Sequence, residues 1–288
     1  MNSVYDRQLK RYVVEKPYKE GALKLMYNTM AGRVLLKLVF ARPWFNKLTA
    51  MYRKSELSHD KILPFIEKYK INTEGYDLST MKSFNDFFKR KRKVVLNPDS
   101  SKNDLLAIAD AKLSVYNVSR NLKLNIKNSS YTVGEILGNN ELAREYAGGK
   151  CLVYRLTVDD YHRYHYLDGG FIKKKYRING ELHTVRPISS KYNVFSRNTR
   201  EISVLSTYTF GDVVQVEVGA MLIGCIKNHK DVVLFGKLEE KGYFEYGGST
   251  IILLFKKDCI KLDKDIEILS KRNIEAKVRI GEKIGERL

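Results

Sequence analysis

The stretch that decides the fold runs from residue 243 to residue 255 and reads YFEYGGSTIILLF. Two glycines and two hydroxyl residues separate an aromatic run from an aliphatic and β-branched run, which predicts a backbone bend leading into a buried strand, Ile251–Phe255. Ser249 lies immediately before that strand. Its hydroxyl has two interpretations: it hydrogen-bonds its own backbone in a turn, or it becomes a nucleophile beside a base.

The sequence around this stretch contains short runs typical of β-strands, divided by turn signals. They are Leu113–Val118, Leu122–Ile126, Leu152–Val158, Phe171–Ile178, Val213–Val218, Met221–Ile226 and Val232–Phe235. One short helix is predicted to interrupt them near Val133–Tyr146. Residues 98–288 are therefore predicted to form a β-rich, mainly antiparallel domain.

Residues 1–97 have the patterns of a helical region. Between Gly21 and Phe40 apolar residues recur at helical spacing. Ser58 is predicted to cap a second helix, and the spacing of Ser83 to Asp86 resembles a capping box that starts a third. The predicted fold class is α+β, with a helical N-terminal region followed by the β domain.

The charge of the chain favours polyanionic partners. The formal net charge is +19, and residues 1–100 hold 21 lysines and arginines against 10 aspartates and glutamates. Nucleic acid and anionic lipid both suit such a surface. The Lys89–Lys93 run is either a solvated face or a phosphate contact. The amphipathic Gly21–Leu48 segment either packs on its own domain or lies in a lipid headgroup layer.

The cysteines and the hydropathy of the chain indicate which cellular compartment to expect. The three cysteines lack metal-ligand spacing, so no disulfide framework or zinc site is predicted, and the compartment is expected to be reducing. Met1–Glu15 has no apolar core typical of a secretory signal. No apolar run approaches the roughly 20 residues that cross a bilayer. Any membrane attachment is therefore expected to be peripheral.

Three further residues could carry chemistry. His162 and His165 face opposite sides if they lie on a strand, but on a bend they can converge on one pocket. Imidazoles move protons near neutral pH, although surface or packing roles also fit these two. Asp110 is either a turn former or a buried partner for an imidazole. His59, His183 and His229 are interpreted as structural.

Seven segments, taken in this order, resemble the phosphatidylserine decarboxylase family over nearly the whole chain. They are SFNDFFKR (83–90), AD (109–110), YTVGEIL (131–137), YRLTVDDYHRYH (154–165), GELHTV (180–185), VGAMLIG (218–224) and YGGST (246–250). Two positions depart from the family pattern. Gly247 stands where leucine is common, and Ala111 stands where the family has glycine after the aspartate.

The resemblance implies a proenzyme that cuts itself. His165, oriented by Asp110, is expected to withdraw the proton of Ser249 so that its Oγ attacks the carbonyl carbon of Gly248. The chain then splits between Gly248 and Ser249 into a large chain, residues 1–248, and a small chain, residues 249–288. After loss of ammonia, the small chain begins with a pyruvoyl group derived from Ser249.

The resemblance also implies the activity and the partners. The pyruvoyl group is expected to accept electrons as phosphatidylserine loses carbon dioxide and becomes phosphatidylethanolamine, with His162 assisting decarboxylation or protonation. No metal and no nucleic acid are expected. The partner is an anionic phospholipid membrane, bound peripherally at the cytoplasmic face of the cell membrane, and a homodimer is left open. The alternatives are a pyruvoyl-dependent decarboxylase of a soluble amino acid and a basic, non-enzymatic nucleic-acid-binding β protein.

Overall fold

The fold is taken from a computed structural model of the 288-residue chain. The structure describes residues 3–15, 20–92, 100–126, 129–184, 193–220, 225–230, 232–245 and 249–288. Gly247 and Gly248 lie outside the described residues, as do Lys93 and much of the predicted strand Met221–Ile226.

The described helices cluster in the first third of the chain, with shorter ones inserted later. They are α1 (Glu20–Asn28), α2 (Met30–Leu35), α3 (Pro43–Lys54), α4 (Ile62–Tyr69), α5 (Phe84–Phe88), α6 (Val133–Leu137), α7 (Asn140–Arg144), α8 (Val194–Arg197) and α9 (Lys264–Lys271). A π-helical turn at Leu36–Phe40 follows α2. Segments of 3-10 helix cover Glu56–Lys61 and Leu78–Thr80.

The described strands extend from the third residue to the end of the chain. They are β1 (Ser3–Asp6), β2 (Arg11–Val14), β3 (Asp104–Leu106), β4 (Ala111–Asn117), β5 (Lys123–Ile126), β6 (Ser129–Thr132), β7 (Lys150–Leu156), β8 (Arg163–His165), β9 (Gly170–Ile178), β10 (Arg200–Thr207), β11 (Gly211–Val218), β12 (Ile226–Asn228), β13 (Leu234–Phe235), β14 (Glu240–Phe244), β15 (Ser249–Phe255), β16 (Ile260–Leu262), β17 (Glu275–Val278) and β18 (Lys283–Arg287).

A ten-stranded sheet organises the molecule, in the order β13-β9-β10-β11-β15-β7-β4-β17-β1-β2. Its described pairs are antiparallel except β1 with β17. Smaller sheets join β12-β14-β8, β16-β18-β3 and β5-β6. The α+β fold class and the mainly antiparallel arrangement are confirmed.

Strand β15 lies between β11 and β7 and separates two cores. Its side chains alternate: Ile251 and Leu253 pack in one core, whereas Ile252 and Leu254 pack in the other. The first core also contains aromatic side chains of α5, β8 and β14. All seven residues of β15 are buried. The prediction of a buried strand at Ile251–Phe255 is therefore confirmed.

The first residues of the chain were not predicted from the sequence to be strands, yet β1 and β2 extend the large sheet. Arg7, which follows β1, forms ion pairs with Asp263, Asp265 and Glu282 at 2.7 to 2.8 Å. The sequence gives little sign of this because β1 pairs with β17, some 270 residues later. The N-terminal region is therefore helical only after these two strands.

Local capping patterns predicted one helix start correctly and one wrongly. Ser83 and Asp86 form the expected capping box at the start of α5. Ser58 does not cap α4: its hydroxyl donates to backbone carbonyls of Arg53 and Ser55 and accepts from the backbone N–H of Phe84. The Ser58 hydroxyl thus connects α5 to the end of α3.

The single helix predicted near Val133–Tyr146 is two helices, α6 and α7.

The N-terminal helices expose much of their apolar surface. Tyr27 and Leu36 are buried in a small core of their own. Large apolar side chains of α1 to α3 and the π-helical turn are at least 40% exposed: Leu25, Met30, Val34, Leu35, Leu38, Trp44, Leu48, Met51 and Tyr52. In the described part of the chain, no helix combines the length and the apolar character needed to span a membrane.

Candidate active site

Ser249 opens the central strand of the large sheet. It is the first residue of β15, lies opposite Leu156 of β7, and is 0% exposed. Because side chains alternate along a strand, Ser249 faces the same core as Ile251 and Leu253. Its Oγ has no hydrogen-bond partner among the described residues. Within the described part of the chain, the hydroxyl therefore keeps its bonding capacity, whereas the predicted turn at Gly247 and Gly248 lies outside the described residues.

Strands β8 and β14 bring both histidines of the predicted site next to the chain segment that leads to Ser249. His165 ends β8 and lies opposite Glu240 of β14. The carbonyl of His162 accepts a hydrogen bond from the backbone N–H of Phe244 at 2.9 Å. Phe244 is five residues before Ser249 in the chain. The two histidines thus flank the strand that runs toward the predicted cleavage point.

His162 is held as a neutral, oriented imidazole. Its ring stacks on Phe88 of α5, with 3.9 Å between ring centres, and the residue is 0% exposed. Nε2 lies 2.9 Å from the carbonyl oxygen of Thr157, which can only accept, so Nε2 carries the hydrogen and the lone pair is on Nδ1. Nδ1 has no partner among the described residues. Burial, reinforced by the charge of Arg90, lowers the pKa of His162 to about 3.

His165 is also buried and neutral. Its backbone N–H donates to the carbonyl of Ile108 at 3.0 Å, and its Nδ1 has no partner in the described part of the chain. Burial lowers the pKa of His165 to about 4, although the carboxylate of Glu240 acts in the opposite direction. An imidazole that is unprotonated at neutral pH is able to take a proton from a hydroxyl.

Asp110 stands just before β4, at the same end of the sheet as Ser249. Lys112 pairs with Arg155 of β7, which pairs with Thr250 of β15, so Lys112 and Thr250 are separated by two strand spacings, roughly 10 Å. Asp110 and Ser249 precede these two residues on the same side. The Asp110 carboxylate accepts from the backbone N–H of Ile280 at 2.9 Å and from Arg92 at 2.6 Å.

The hydrogen bonds of Asp110 within the described residues do not include one to His165. The structure nevertheless brings Asp110 and His165 to one region of the molecule, because Asp110 is two residues from Ile108, whose carbonyl accepts a hydrogen bond from the backbone N–H of His165. The orientation of His165 by Asp110 stays a prediction.

A buried ion pair fixes the loop that leads to His162. Asp160 accepts from the backbone N–H of Thr157 at 2.7 Å and from Lys112 Nζ at 2.7 and 2.8 Å. Asp160 and Lys112 are both less than a tenth exposed. Because this pair holds Thr157 in place, it also fixes the carbonyl that orients His162.

Comparisons with known proteins identify the family of this chain. A family model described as phosphatidylserine decarboxylase matches residues 82–286. The chain is 52% identical over 289 residues to phosphatidylserine decarboxylase proenzyme 2 of Clostridium acetobutylicum, covering 99% of this chain and 98% of the relative. The chain belongs to the phosphatidylserine decarboxylase family.

Two further members of the phosphatidylserine decarboxylase family match at full length. The proenzyme of Clostridium novyi is 39% identical over 299 residues, covering all of both chains. That of Ruminiclostridium cellulolyticum is 39% identical over 292 residues, 99% of this chain and 97% of the relative. The chain is thus an enzyme of the decarboxylase family, and its relatives carry the name of proenzymes.

The residues present fit a pyruvoyl group at position 249. Such a group would form from the serine itself, with Cα becoming the ketone carbon and Oγ leaving, so the hydroxyl must not be committed to the fold. Ser249 is buried and its Oγ meets that need among the described residues. The histidines at positions 162 and 165 are both buried, which excludes the surface interpretation. Groups of three or more metal-ligating side chains were not found in the described ranges.

Sequence reasoning missed the arginines of the site. The Lys89–Lys93 run was expected to be solvated or to contact phosphate, but Arg90 is 5% exposed and Arg92 binds Asp110. The signal that could have found them is the position of this run directly after the buried aromatic residues of α5. A cation next to buried rings is held by the domain rather than by solvent.

Proposed function

We propose that the chain is a proenzyme that cuts itself between Gly248 and Ser249 and then converts phosphatidylserine to phosphatidylethanolamine with the resulting pyruvoyl group. One observation carries the proposal: the buried Ser249 hydroxyl, uncommitted among the described residues, opens a central strand beside two buried imidazoles. Membership of the family supports the substrate.

Self-cleavage uses groups of this chain, and the final release of ammonia consumes one water molecule. His165 takes the Ser249 proton, and the Oγ forms a bond to the Gly248 carbonyl carbon. The bond from that carbon to the Ser249 nitrogen then breaks, and the nitrogen accepts the proton from His165. The product is an ester. Removal of the Ser249 α-proton then breaks the Cβ–Oγ bond and releases residues 1–248 with a carboxylate end. Water replaces the nitrogen of residue 249 and ammonia leaves.

Asp110 supplies a carboxylate two residues from Ile108, whose carbonyl binds the backbone of His165. In the uncut chain its carboxylate is fixed by Ile280 and Arg92, so its position is set before any reaction. We assign it to stabilise the His165 imidazolium that forms when the serine proton moves. Replacement by asparagine should then slow self-cleavage without preventing folding.

His162 is the residue suited to the second reaction. When formed, the pyruvoyl group supplies an electrophilic carbonyl that binds the substrate amine and accepts electrons as carbon dioxide leaves. The fixed Thr157 carbonyl directs the lone pair of His162 Nδ1 away from the loop, where it can receive a proton and return it. His162 is therefore assigned to assist decarboxylation or the protonation that follows.

The exposed apolar surface of α1 to α3 is proposed as the membrane contact. Trp44, Leu48 and Met51 of α3 are each more than half exposed, and Lys47 lies among them. Aromatic and aliphatic side chains with nearby cations bind the headgroup layer of anionic bilayers. We place the enzyme peripherally at the cytoplasmic face of the cell membrane.

The activity is tested with phosphatidylserine in anionic vesicles. Wild-type protein should release carbon dioxide and form phosphatidylethanolamine, and Ser249→Ala should form none. Soluble serine assayed under the same conditions separates the two pyruvoyl-dependent alternatives. Turnover of serine without turnover of the lipid would overturn the lipid assignment, and product formation by Ser249→Ala would overturn the mechanism.

A further inference from the structure

Arg90 is a buried cation without a directly bonded acid. It is 5% exposed, and it forms no ion pair with any described residue. Its hydrogen bonds run to the backbone carbonyls of Phe87 at 3.4 Å and Asp160 at 3.2 Å, and the Tyr76 hydroxyl also interacts with its guanidinium. Its Nε has no acceptor within the described ranges. Charge-assisted bonds are usually 2.7 to 2.9 Å long, so these contacts are weak.

The acids near Arg90 are already bound to other cations. Asp160 binds Lys112 at 2.7 Å and Asp110 binds Arg92 at 2.6 Å. The guanidinium of Arg90 itself lies over the rings of Phe87 and Tyr76, with its central carbon 4.9 and 5.2 Å from their centres. A buried charge in such surroundings is costly unless another anion completes its shell.

Arg90 belongs to the surroundings of His162. It binds the carbonyl of Asp160, two residues before His162, and its charge contributes to the lowered pKa of that imidazole. Phe88, two residues before Arg90, stacks on the His162 ring. An anion that reached Arg90 would therefore lie beside the residue assigned to decarboxylation.

We propose that Arg90 binds the phosphodiester of the lipid substrate and thereby selects phospholipid serine over serine without a phosphate. This rests on the proposed function. The substrate offers two anions, a phosphodiester and a carboxylate. Arginine bound to the carboxylate would stabilise the charge that has to be lost, and so would raise the barrier to decarboxylation. The phosphodiester is unchanged in the reaction, and its oxygens match the two-pronged guanidinium.

The test compares Arg90→Gln with wild type on two substrates in the same detergent micelles. Phosphatidylserine has both anions, whereas O-hexadecylserine has the amine and the carboxylate but no phosphate. Lys257→Gln, which removes one cation from a side chain that is 69% exposed, is the charge-matched control. Both variants are assayed as self-cleaved protein. Phosphatidylethanolamine, which has the phosphodiester and no carboxylate, serves as an inhibitor.

Arg90→Gln should lower kcat/KM for phosphatidylserine about 100-fold, mainly through KM, and should change turnover of O-hexadecylserine by less than about twofold. Inhibition by phosphatidylethanolamine should weaken in parallel. Arg90→Lys should lower kcat/KM for phosphatidylserine about tenfold, because lysine keeps the positive charge but lacks the two parallel N–H donors of the guanidinium.

Three results would overturn the assignment of Arg90. They are equal losses on both substrates, unchanged inhibition by phosphatidylethanolamine, and failure of both Arg90 variants to cut themselves when Lys257→Gln does so. Failure of wild type to act on phosphatidylserine would overturn the proposed function instead. In that case the anion site would still be supported if wild type bound phosphatidylethanolamine and Arg90→Gln did not.

Discussion

The chemistry of individual residues here is set by burial. His162 and His165 lie among apolar and aromatic side chains that disfavour an imidazolium, and their pKa values fall to about 3 and about 4. The sequence predicted both residues because of their spacing and resemblance. It could not predict their neutrality, since that depends on Phe88 and on a segment around Ile108 that is distant in the chain.

The same limit applies to the acid of the site. Asp110 was predicted as a residue of the site, but its partner Arg92 was not, because the run that contains Arg92 reads as a solvated patch. Its contact with the backbone of Ile280 joins residues 170 positions apart. Sequence patterns identify residues whose side chains can react, but they do not show which residues distant in the chain contact them.

Self-cleavage should persist in mild acid. A general base works while it is unprotonated, so a His165 pKa of about 4 predicts a rate constant that stays nearly level from pH 8 to pH 5.5 and falls only at lower pH. The measurement is the appearance of the two fragments by gel densitometry after a proenzyme made uncut is brought to each pH. Loss of half the rate near pH 6.5, the ordinary value for histidine, would show that His165 is not the buried base.

Folding stability should respond to the same burial. The pKa of His165 is lower in the folded chain than in the unfolded chain, so below about pH 6.5 the unfolded state binds the extra proton. The free energy of unfolding should therefore fall as pH decreases from 6.5 toward 4, by roughly 3 kcal/mol for this residue. Urea titrations of Ser249→Ala, with and without His165→Gln, measure it.

In these titrations His59→Gln is the control, since the side chain of His59 is 56% exposed. The decrease of the unfolding free energy with falling pH should be smaller in the His165 variant and unchanged in the His59 variant. If the dependence of the unfolding free energy on pH were the same in the His165 variant, burial of the His165 ring would not be its cause.

Among the elements, the short sheet of β8, β12 and β14 positions the histidines, and a buried ion pair supports it. Lys241 of β14 and Glu217 of β11 are 1% and 0% exposed and meet at 2.7 Å. Asn228 of β12 binds both residues, and it also binds the hydroxyl of Tyr164 between the two histidines. This network connects the small sheet to the large one.

Removing one member of this pair should destabilise the chain strongly. Glu217→Ala leaves a buried ammonium without its partner, and we expect a loss of about 3 to 5 kcal/mol in the free energy of unfolding. The double variant Glu217→Leu, Lys241→Met should be far less affected. The exposed pair Lys257 and Asp258 is the matched control, with an expected change below about 1 kcal/mol. Equal stability of the single and double variants would contradict this role.

Element boundaries show which parts of the fold are local. The capping box at Ser83 was predictable because its two members are three residues apart. The role of Ser58 was not, because its hydroxyl serves α5, 26 residues later. Strands β1 and β2 were missed for the same reason: what makes them strands is the edge offered by β17.

At the scale of the whole molecule, the architecture agrees with a chain that is cut and stays together. Residues 249–288 supply β15 in the centre of the large sheet and β17 between β4 and β1. A separate product of this size could not form a core of its own. The sequence predicted a helical region before a mainly antiparallel β region, and a buried strand at Ile251–Phe255. It did not show that β1 precedes the helices and pairs with β17, which lies within residues 249–288.

Membrane binding should depend on the exposed face of α3. Replacing Trp44, Leu48 and Met51 together by serine should reduce sedimentation with anionic vesicles at least tenfold and leave self-cleavage near its normal rate, because these side chains are exposed. Deleting the first 50 residues would be a poorer test, since it also removes β1 and β2 from the sheet.

The control for this variant is Val233→Ser with Leu234→Ser, two exposed apolar residues at the far edge of the sheet. It should bind vesicles as wild type does. Equal binding by the α3 variant would refute the proposed contact.

The most direct test of the central claim is the intact mass of the purified protein under denaturing conditions. We predict two species whose sequences meet between Gly248 and Ser249, with the smaller one lacking a free amino terminus, and a single chain of 33.4 kDa for Ser249→Ala. An active wild-type preparation consisting only of the uncut 33.4 kDa chain would contradict the account.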